Sequence, residues 1–342
     1  MTENQFIIEL QQALHALPAE ESNDIILDLR EYFVNGRNDG KTDREIADSL
    51  GSPDEIATDL LSTYSFVENK VTRKNDAEMI TITDNNFTKV TMNIQHGSLV
   101  VKPSDNSTTT IELDGINDKL KLTAEVVGGT LSIRLKNLRN LLFMFNLNMK
   151  PIILSVSLPK KLYDSVVMKT DNGRITAEKL LGKTINISTD NGRIKLKELA
   201  ATDLTVETDN GKIEIDKVQA ENINVKTDNG RIDMQHIDAE NIDAESDNGS
   251  INLWDVNGSI TGETDNGHIT LETTTLDQPI NFSTDNGSIS IKSKTKPTNV
   301  SIHAKTNHRR INVLGERNSM TIIGAGKNII RLKSDNGRID VS

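Results

Sequence analysis

The amino-acid sequence predicts a multidomain α + β fold, a small N-terminal helical bundle followed by a β-solenoid or β-helix-like repeat domain. Three observations lead to this prediction. Apolar residues recur at helical spacing over the first 64 residues, a Thr/Ser-Asp-Asn-Gly motif then recurs with a 19-residue period, and the charge balance changes near residue 70. We assign residues 1–66 to an acidic helical bundle, 67–78 to a linker and 79–342 to the repeat domain.

Composition narrows the functional classes. The chain has 342 residues and no Cys, which excludes disulfides, thiolate metal sites and Cys nucleophiles. Its formal net charge is −11, and residues 1–70 hold 15 acidic and 5 basic residues, against 35 and 34 in residues 71–342. An acidic head and a nearly neutral body lack the clustered basic surface that direct binding of nucleic acid requires.

The N-terminal segment is unlike a secretory signal, because no Lys or Arg precedes its apolar residues and two Glu interrupt them. The longest apolar run, Leu141–Phe145, is far shorter than the roughly 20 residues that span a bilayer. We therefore expect a soluble chain with a cytoplasmic location and at most peripheral membrane contact.

Four amphipathic helices are predicted in the head. Thr2 can cap the first, Pro18 separates the first from the second, Thr42 with Glu45 forms a capping box for the third, and Pro53 suits the first turn of the fourth. Apolar stripes at i, i+3 and i+4 spacing mark the buried side of each helix. The stripes comprise Phe6, Ile7, Leu10, Leu14, Leu17, Ile25, Ile26, Leu29, Phe33, Ile46, Leu50, Ile56, Leu60, Leu61 and Tyr64.

The segments LQQALHALP and ILDLREYFVNGRNDGKTDREIADSLGSPDEIATDLL resemble the HAAS signalling domain over residues 1–64. The resemblance implies a regulatory, protein-binding domain, often associated with PadR-type transcriptional regulators. The acidic residues on the wet face of the second helix are the candidate partner contacts: Glu20, Glu21, Asp24, Asp28 and Glu31. In the alternative interpretation, the bundle only packs on the body.

The repeat motif places Asn-Gly at eight turns, with first intervals of 19, 19, 19, 19, 18 and 20 residues between the glycines. Alternating apolar and polar residues between the turns predict short strands. We expect Asn-Gly to supply the positive φ angles of a tight turn. The predicted structural turn residues are Asn172, Gly173, Asn191, Gly192, Asn210, Gly211, Asn229, Gly230, Asn248, Gly249, Asn266, Gly267, Asn286, Gly287, Asn336 and Gly337.

Two architectures fit this pattern, antiparallel hairpins laid side by side or stacked coils of a solenoid. Identical turns favour the solenoid, with regular coils at about residues 165–292, because each coil then meets an equivalent neighbour. Stacking would align the turn Asp residues in one row, their repulsion relieved by the Arg or Lys that follows most of the turn glycines. The final SDNGRIDVS, by its position in the chain, is expected to form a terminal coil with a neighbour on one side only.

The stretch VSLPKKLYDSVVMKTDNGRITAE and the following NG-x-I repeats resemble a bacterial family of β-strand-repeat proteins called "putative adhesin", over about residues 75–342. The resemblance implies a fold rather than an activity, since the family has no established biochemical function.

Sequence patterns for catalysis, metal binding and cofactors are weak. One turn Asp per 19 residues, often followed by a base, is unlike the carboxylate-dense turns that bind Ca²⁺. A repeated surface row offers no unique acid–base pair. We therefore predict no catalytic, cofactor or metal site and no enzymatic activity.

An insert at 137–151 interrupts the strand pattern with LRNLLFMFNLNMKP. Basic residues flank an apolar tip formed by Leu141, Leu142, Phe143 and Phe145, with Met144 between the two Phe. Such a tip can seat a protein on an anionic membrane surface, or it can fold back as a lid over the first coil.

The sequence thus favours a non-enzymatic signalling or scaffold protein, in which the head docks a regulatory protein and the repeat body presents an extended interaction surface, in a setting such as cell-envelope signalling. The alternatives are a surface adhesin and a carbohydrate-interacting β-helix protein. A single Trp and three Tyr provide few sugar-stacking platforms, which disfavours the carbohydrate alternative.

Overall fold

The computed structural model describes residues 1–15, 19–38, 41–58, 78–115, 120–137, 151–307 and 309–342. The helices belong to one compact unit and the strands to another. The last residue of the predicted linker, Glu78, is the first residue of a strand. No helix among the described ranges combines the length and apolar character needed to cross a membrane.

The helical unit contains α1 (Glu3–Ala13), α2 (Ala19–Asn38), α3 (Asp43–Leu50) and a further helical segment at 53–58. Capping boxes begin α1 at Thr2 and α3 at Thr42, where the cap hydroxyl accepts a hydrogen bond from a backbone N–H that would otherwise be unpaired. Four predicted stripe residues lie outside the described residues: Leu17, Leu60, Leu61 and Tyr64. The core of the unit comprises Phe6, Leu10, Leu14, Leu29, Phe33, Ile46, Ala47, Leu50, Ile56 and Ala57.

The described residues of the strand unit form 22 strands. They are β1 (Glu78–Ile82), β2 (Lys89–His96), β3 (Ser98–Pro103), β4 (Thr109–Asp114), β5 (Leu120–Val127), β6 (Thr130–Asn137), β7 (Ile153–Leu158), β8 (Leu162–Asn172), β9 (Ile175–Glu178), β10 (Leu181–Thr189), β11 (Ile194–Thr208), β12 (Ile213–Thr227), β13 (Ile232–Ser246), β14 (Ile251–Thr264), β15 (Ile269–Thr273), β16 (Ile280–Thr284), β17 (Ile289–Ser293), β18 (Val300–Thr306), β19 (Ile311–Val313), β20 (Met320–Ile323), β21 (Asn328–Ser334) and β22 (Ile339–Val341).

Successive coils of the middle region stack in parallel. Ile194 pairs with Ile213, Ile213 with Ile232 and Ile232 with Ile251, so each residue meets the one 19 positions later. Parallel pairing excludes side-by-side hairpins here and confirms the solenoid-like prediction. Alternation along β12 buries Ile213 and Ile215 and turns Glu214 outward, as a strand with one buried face requires.

At the N-terminal end, the first coil stacks on a segment far along the chain. β2 pairs with β8 so that His96 lies opposite Asn172, and β3 pairs with β9. The intervening residues extend the strand pairing from β3 through β7, β4 and β1, and from β2 through β6 and β5. Several of these added pairings are antiparallel, which explains why residues 79–135 show strands without the strict repeat.

At the C-terminal end, the order of the coils differs from the order of the chain. β21 pairs with β16 on one side and β18 on the other, and β22 lies between β17 and β19. The final SDNGRIDVS is therefore an inner coil with neighbours on both sides. The expectation of a terminal coil is wrong, because register and not chain position decides which coils meet.

Candidate functional site

The turn asparagines form one continuous hydrogen-bonded ladder. Asn210 Nδ2 donates to Asn191 Oδ1 at 2.7 Å, and Asn229 Nδ2 donates to Asn210 Oδ1 at 2.8 Å. The same bond links all eight predicted turn asparagines at 2.7–3.0 Å. The side-chain amides are thus hydrogen-bonded to one another within the stack.

The turn glycines serve close packing between coils. A Cβ built on Gly211 would lie 1.8 Å from the carbonyl oxygen of Gly192. None of the eight turn glycines has a positive φ, so the prediction of a left-handed turn is wrong. Beneath them, Thr227 Oγ1 donates to the Gly211 carbonyl at 3.3 Å and accepts from the Gly230 N–H at 3.0 Å. The motif therefore needs Gly for space and Thr or Ser for buried hydrogen bonds.

The aligned turn aspartates repel one another. Burial and the neighbouring Asp228 and Asp190 carboxylates raise the pKa of Asp209. The expected relief by the following base does not occur where ion pairs are described, because Lys212 and Arg231 contact Asp233 at 2.9 and 3.0 Å on the sheet face. Among the described residues, no group of three or more His, Asp or Glu side chains could hold a metal ion.

A second corner of each coil has an unusual backbone. Five residues that align in successive coils adopt φ values of 48–57°, although none is Gly: Lys179, Glu198, Lys217, His236 and Asp255. This left-handed conformation is uncommon for residues with a Cβ. The sequence gives no Asn-Gly signal at this corner, so the pattern analysis missed it. A 19-residue spacing of charged residues or His, each followed by a buried Leu, Val or Ile, was the available signal.

This corner borders a groove of about 490 Å³. Its accessible apolar lining includes Leu181, which is 46% exposed, and Ala200, and its polar lining includes Gln219, Asp238 and Asn257. The corner residues contribute charges of both signs, with Lys217 Nζ 3.8 Å from Glu198 and His236 Nδ1 2.9 Å from Asp216. The groove can therefore contact both an apolar and a polar side of an extended ligand.

A second groove of about 290 Å³ also has Leu181 and Glu198 in its lining, and the two neighbouring grooves are here called the corner groove. Lys161 lines it and donates to the Asn85 and Phe87 carbonyls at 2.8 and 2.6 Å, with its Nζ 4.1 Å from the Phe87 ring centroid. Burial lowers the pKa of Lys161. These bonds hold the amine in a structural position.

Burial also raises the pKa of Tyr163, whose hydroxyl donates to the Pro159 carbonyl at 2.8 Å.

Two sites predicted from the sequence have side chains outside the described residues. The candidate acidic contacts lie in α2, but their side chains are outside the described residues: Glu20, Glu21, Asp24, Asp28 and Glu31. The insert tip is outside them altogether: Leu141, Leu142, Phe143 and Phe145.

Comparison with known proteins identifies the strand unit. Residues 87–342, about three quarters of the chain, match the Toastrack DUF4097 family. The chain belongs to the Toastrack DUF4097 family. Residues 5–59 of this Toastrack chain match the HAAS family, which confirms the resemblance seen in the head. No curated protein matches the chain.

Solved structures similar to this Toastrack chain include a "putative adhesin" from Bacteroides fragilis, with 16% identity, coverage of 66% of this chain and 100% of that chain, and a TM-score of 0.45. A "putative lipid binding protein" from Parabacteroides distasonis has 16% identity, coverage of 79% and 98%, and a TM-score of 0.43. None of these families or structures carries the name of an enzyme. At such identities and scores, the similarity says nothing about ligands.

Proposed function

We propose that the chain is a non-enzymatic signalling scaffold. In this proposal, the helical head docks a regulatory protein of the PadR type, and the repeat domain presents an extended interaction surface in cell-envelope signalling. A cytoplasmic location belongs to the proposal, because a DNA-binding regulator works there.

The corner groove is the observation that carries the proposal. It runs across stacked coils whose inward side chains are fully buried, such as Ile213, Val218 and Ile232, so its lining residues are held at fixed spacing. Apolar floor residues beside polar and charged rims are typical of surfaces that bind an extended partner. A binding surface of this kind suits a scaffold.

The head supports the proposal through its family match and its charge. Residues 1–70 carry a formal net charge of −10, and the core of the bundle uses most of the apolar stripe residues, which leaves polar side chains for contacts. Complementary charge would accelerate encounter with a basic DNA-binding protein and would be weakened by salt.

Calorimetric titration of the full chain with a purified PadR-type regulator from the same organism tests this proposal. We expect binding that weakens as salt rises, and a loss of roughly tenfold in affinity in the double variant Asp28→Asn, Glu31→Gln. The matched control, Asp105→Asn with Glu125→Gln, removes the same charge from exposed positions of the repeat domain. Equal binding by both double variants, or no binding by the wild type, would contradict the docking role.

The adhesin and carbohydrate-binding alternatives have no specific observation in their favour. The 490 Å³ groove has no Phe, Tyr or Trp in its lining. Tyr163 lines the 290 Å³ groove but is only 1% exposed, so it offers no open ring on which a sugar could stack.

A further inference from the structure

Charge is segregated within the repeat domain. Residues 294–342 hold ten Lys and Arg against three Asp and Glu, a net charge of +7, whereas residues 78–293 hold 22 against 31, a net charge of −9. The near-neutral total of the body hides this division. The C-terminal coils are therefore a basic region on an otherwise acidic chain.

The outward faces of β18, β20 and β21 bring apolar and basic side chains together. Register places Arg331 beside His303 and His303 beside Met320 in one cross-strand row. The row on one side contains Lys333 and Lys305, and the row on the other contains Ile329, Ser301 and Ile322. We call Lys305, Met320, Ile322, Ile329, Arg331 and Lys333 the C-terminal patch.

The three apolar members of the patch are open to solvent. Met320 is 52% exposed, Ile322 57% and Ile329 39%, although each belongs to a strand. Scattered exposed apolar residues are ordinary, but these three lie on one sheet face at neighbouring positions.

The basic members of the patch retain most of their charge for a partner. Among the described residues, neither Lys305 nor Arg331 has an ion-pair partner, and Lys333 has only Asp335, at 3.7 Å. Lys327 adds a further exposed base beside Ile329, where the two residues line a shallow groove of about 270 Å³.

We propose that the C-terminal patch docks on the surface of an anionic phospholipid bilayer. Basic side chains near such a surface attract its headgroups, and exposed Met and Ile side chains can enter the boundary between headgroups and acyl chains. Because the chain as a whole carries −11, this patch would also orient the protein by turning its acidic part away from the lipid.

Size favours a bilayer over a protein partner. Three strands and three outward rows cover about 300 Å², whereas a stable protein interface uses about 800 Å² on each partner. The competing occupant is the acidic head of a second copy, whose charge is also complementary. This inference does not depend on the regulator proposed for the head, so each can fail without the other.

Flotation of the full chain with phosphatidylcholine vesicles, and with an equal mixture of phosphatidylcholine and phosphatidylglycerol, tests the inference. The wild type should bind only the anionic vesicles, and binding should decrease as ionic strength rises. Lys305→Gln with Arg331→Gln should lower the partition coefficient about 30-fold, given the contribution of each base near an anionic surface. Met320→Ser with Ile322→Ser should lower it several-fold.

Matched controls lie at the opposite end of the repeat domain. Lys121→Gln with Lys169→Gln removes two exposed charges, and Val127→Ser with Leu162→Ser removes two exposed apolar side chains. Both controls should bind like the wild type, and melting temperatures establish that every variant is folded. If one patch variant fails to fold, the other decides the outcome.

Equal binding to the two vesicle types, absence of binding, or equal losses in patch and control variants would overturn the inference. Light scattering distinguishes docking on a bilayer from docking on the acidic head of a second copy. If the wild type self-associates in a salt-sensitive manner, and the patch variants dissociate it without changing vesicle binding, the patch docks the head of a second copy instead.

Discussion

The middle coils, β11 to β14, and the C-terminal coils, β16 to β22, share one turn motif but differ in how the chain connects them. In the middle, Ile213 meets Ile232, the equivalent residue of the next repeat. In the C-terminal coils, Ile280 meets Ile330, fifty residues along the chain, and Ile330 then meets Ile302. The comparison shows that the motif specifies stacking without specifying the partner.

The reason lies in the identity of the turn contacts. Ser334 Oγ donates to the Gly287 carbonyl at 2.7 Å, as Thr227 Oγ1 does to the Gly211 carbonyl at 3.3 Å. Any two such turns can therefore stack. The partner at the C-terminal end is selected elsewhere, where Asp277 accepts hydrogen bonds from the backbone of Thr298 and Asn299, and Asn299 accepts from Asn328.

The largest expected effect is the loss of the intercalated coil. Truncation of residues 328–342 removes the buried Ile330, Leu332, Ile339 and Val341, and the coils on both sides lose the partner between them. We expect destabilisation of the C-terminal coils by more than about 5 kcal/mol, since each buried aliphatic side chain contributes several kcal/mol. Thermal melting followed by circular dichroism measures this. A small shift, as for removal of a dangling end, would contradict the intercalation.

Glycine substitutions sharpen the comparison. Alanine at Gly211 or Gly337 would place a Cβ 1.8 or 1.7 Å from the preceding glycine carbonyl, so we expect each change to cost about 3 kcal/mol or more. As a control, Gly128→Ala meets no atom within 4 Å and should cost only about 1 kcal/mol for its positive φ. A mild effect at Gly337 alone would indicate that its turn does not stack on the turn of Gly287.

The buried hydroxyls provide an isosteric test. Thr227→Val leaves the Gly230 N–H and the Gly211 carbonyl without their described partner and should cost about 1–3 kcal/mol. Thr170, equally buried at the start of the array, has a hydroxyl oxygen with no described partner, so Thr170→Val should be neutral or stabilising. Equal costs in urea unfolding would show that these hydrogen bonds do not distinguish the two coils.

The negative charges of Asp277 and Asp209 should have small effects of opposite sign on the stability of the fold. Hydrogen bonds from Thr298 and Asn299 lower the pKa of Asp277, so its stabilisation is present above the ordinary pKa of 3.8 and disappears as pH falls through the folded value. Burial and like charge raise the pKa of Asp209, so its penalty is present at neutral pH and disappears in acid.

Substitutions of these two residues are therefore expected to change the free energy of unfolding in opposite directions at pH 7. Asp277→Asn should lower stability by about 1 kcal/mol, and Asp209→Asn should raise it by about 0.5 kcal/mol or less, because the site is solvent-screened. Both differences should vanish near pH 2 in melting experiments that compare each variant with the wild type. Shifts of the same sign at pH 7 would refute the opposed roles.

Local pattern was sufficient to predict much of the fold. The helix cap at Thr2, the capping box at Thr42 and the stripe of Phe6 and Leu10 depend on residues close in sequence. The 19-residue period that aligns Ile213 with Ile232 is likewise visible in the sequence, because periodicity is informative there. The strand insertion of β21 was not predictable, because equivalent turns stack equally well and the sequence does not say which pair meets.

The site was harder to predict than the fold. Asn-Gly usually signals positive φ, but glycine is needed at position 211 because a Cβ would clash with the Gly192 carbonyl. This clash exists only when two coils are stacked. The left-handed corner at Lys217 uses residues with no such preference. The C-terminal patch depends on a register between Arg331 and His303 that alternation alone cannot give.

The order of the coils can be measured directly by cysteine cross-linking, because the chain contains no Cys. Lys333 is the strand partner of both Ser283 and Lys305, at about 5 Å between Cα atoms, which a disulfide can bridge, whereas Ser283 and Lys305 are about 10 Å apart. The account predicts rapid disulfide formation in Ser283→Cys with Lys333→Cys and in Lys305→Cys with Lys333→Cys, and none in Ser283→Cys with Lys305→Cys. A cross-link in that last variant, with none to position 333, would contradict the account.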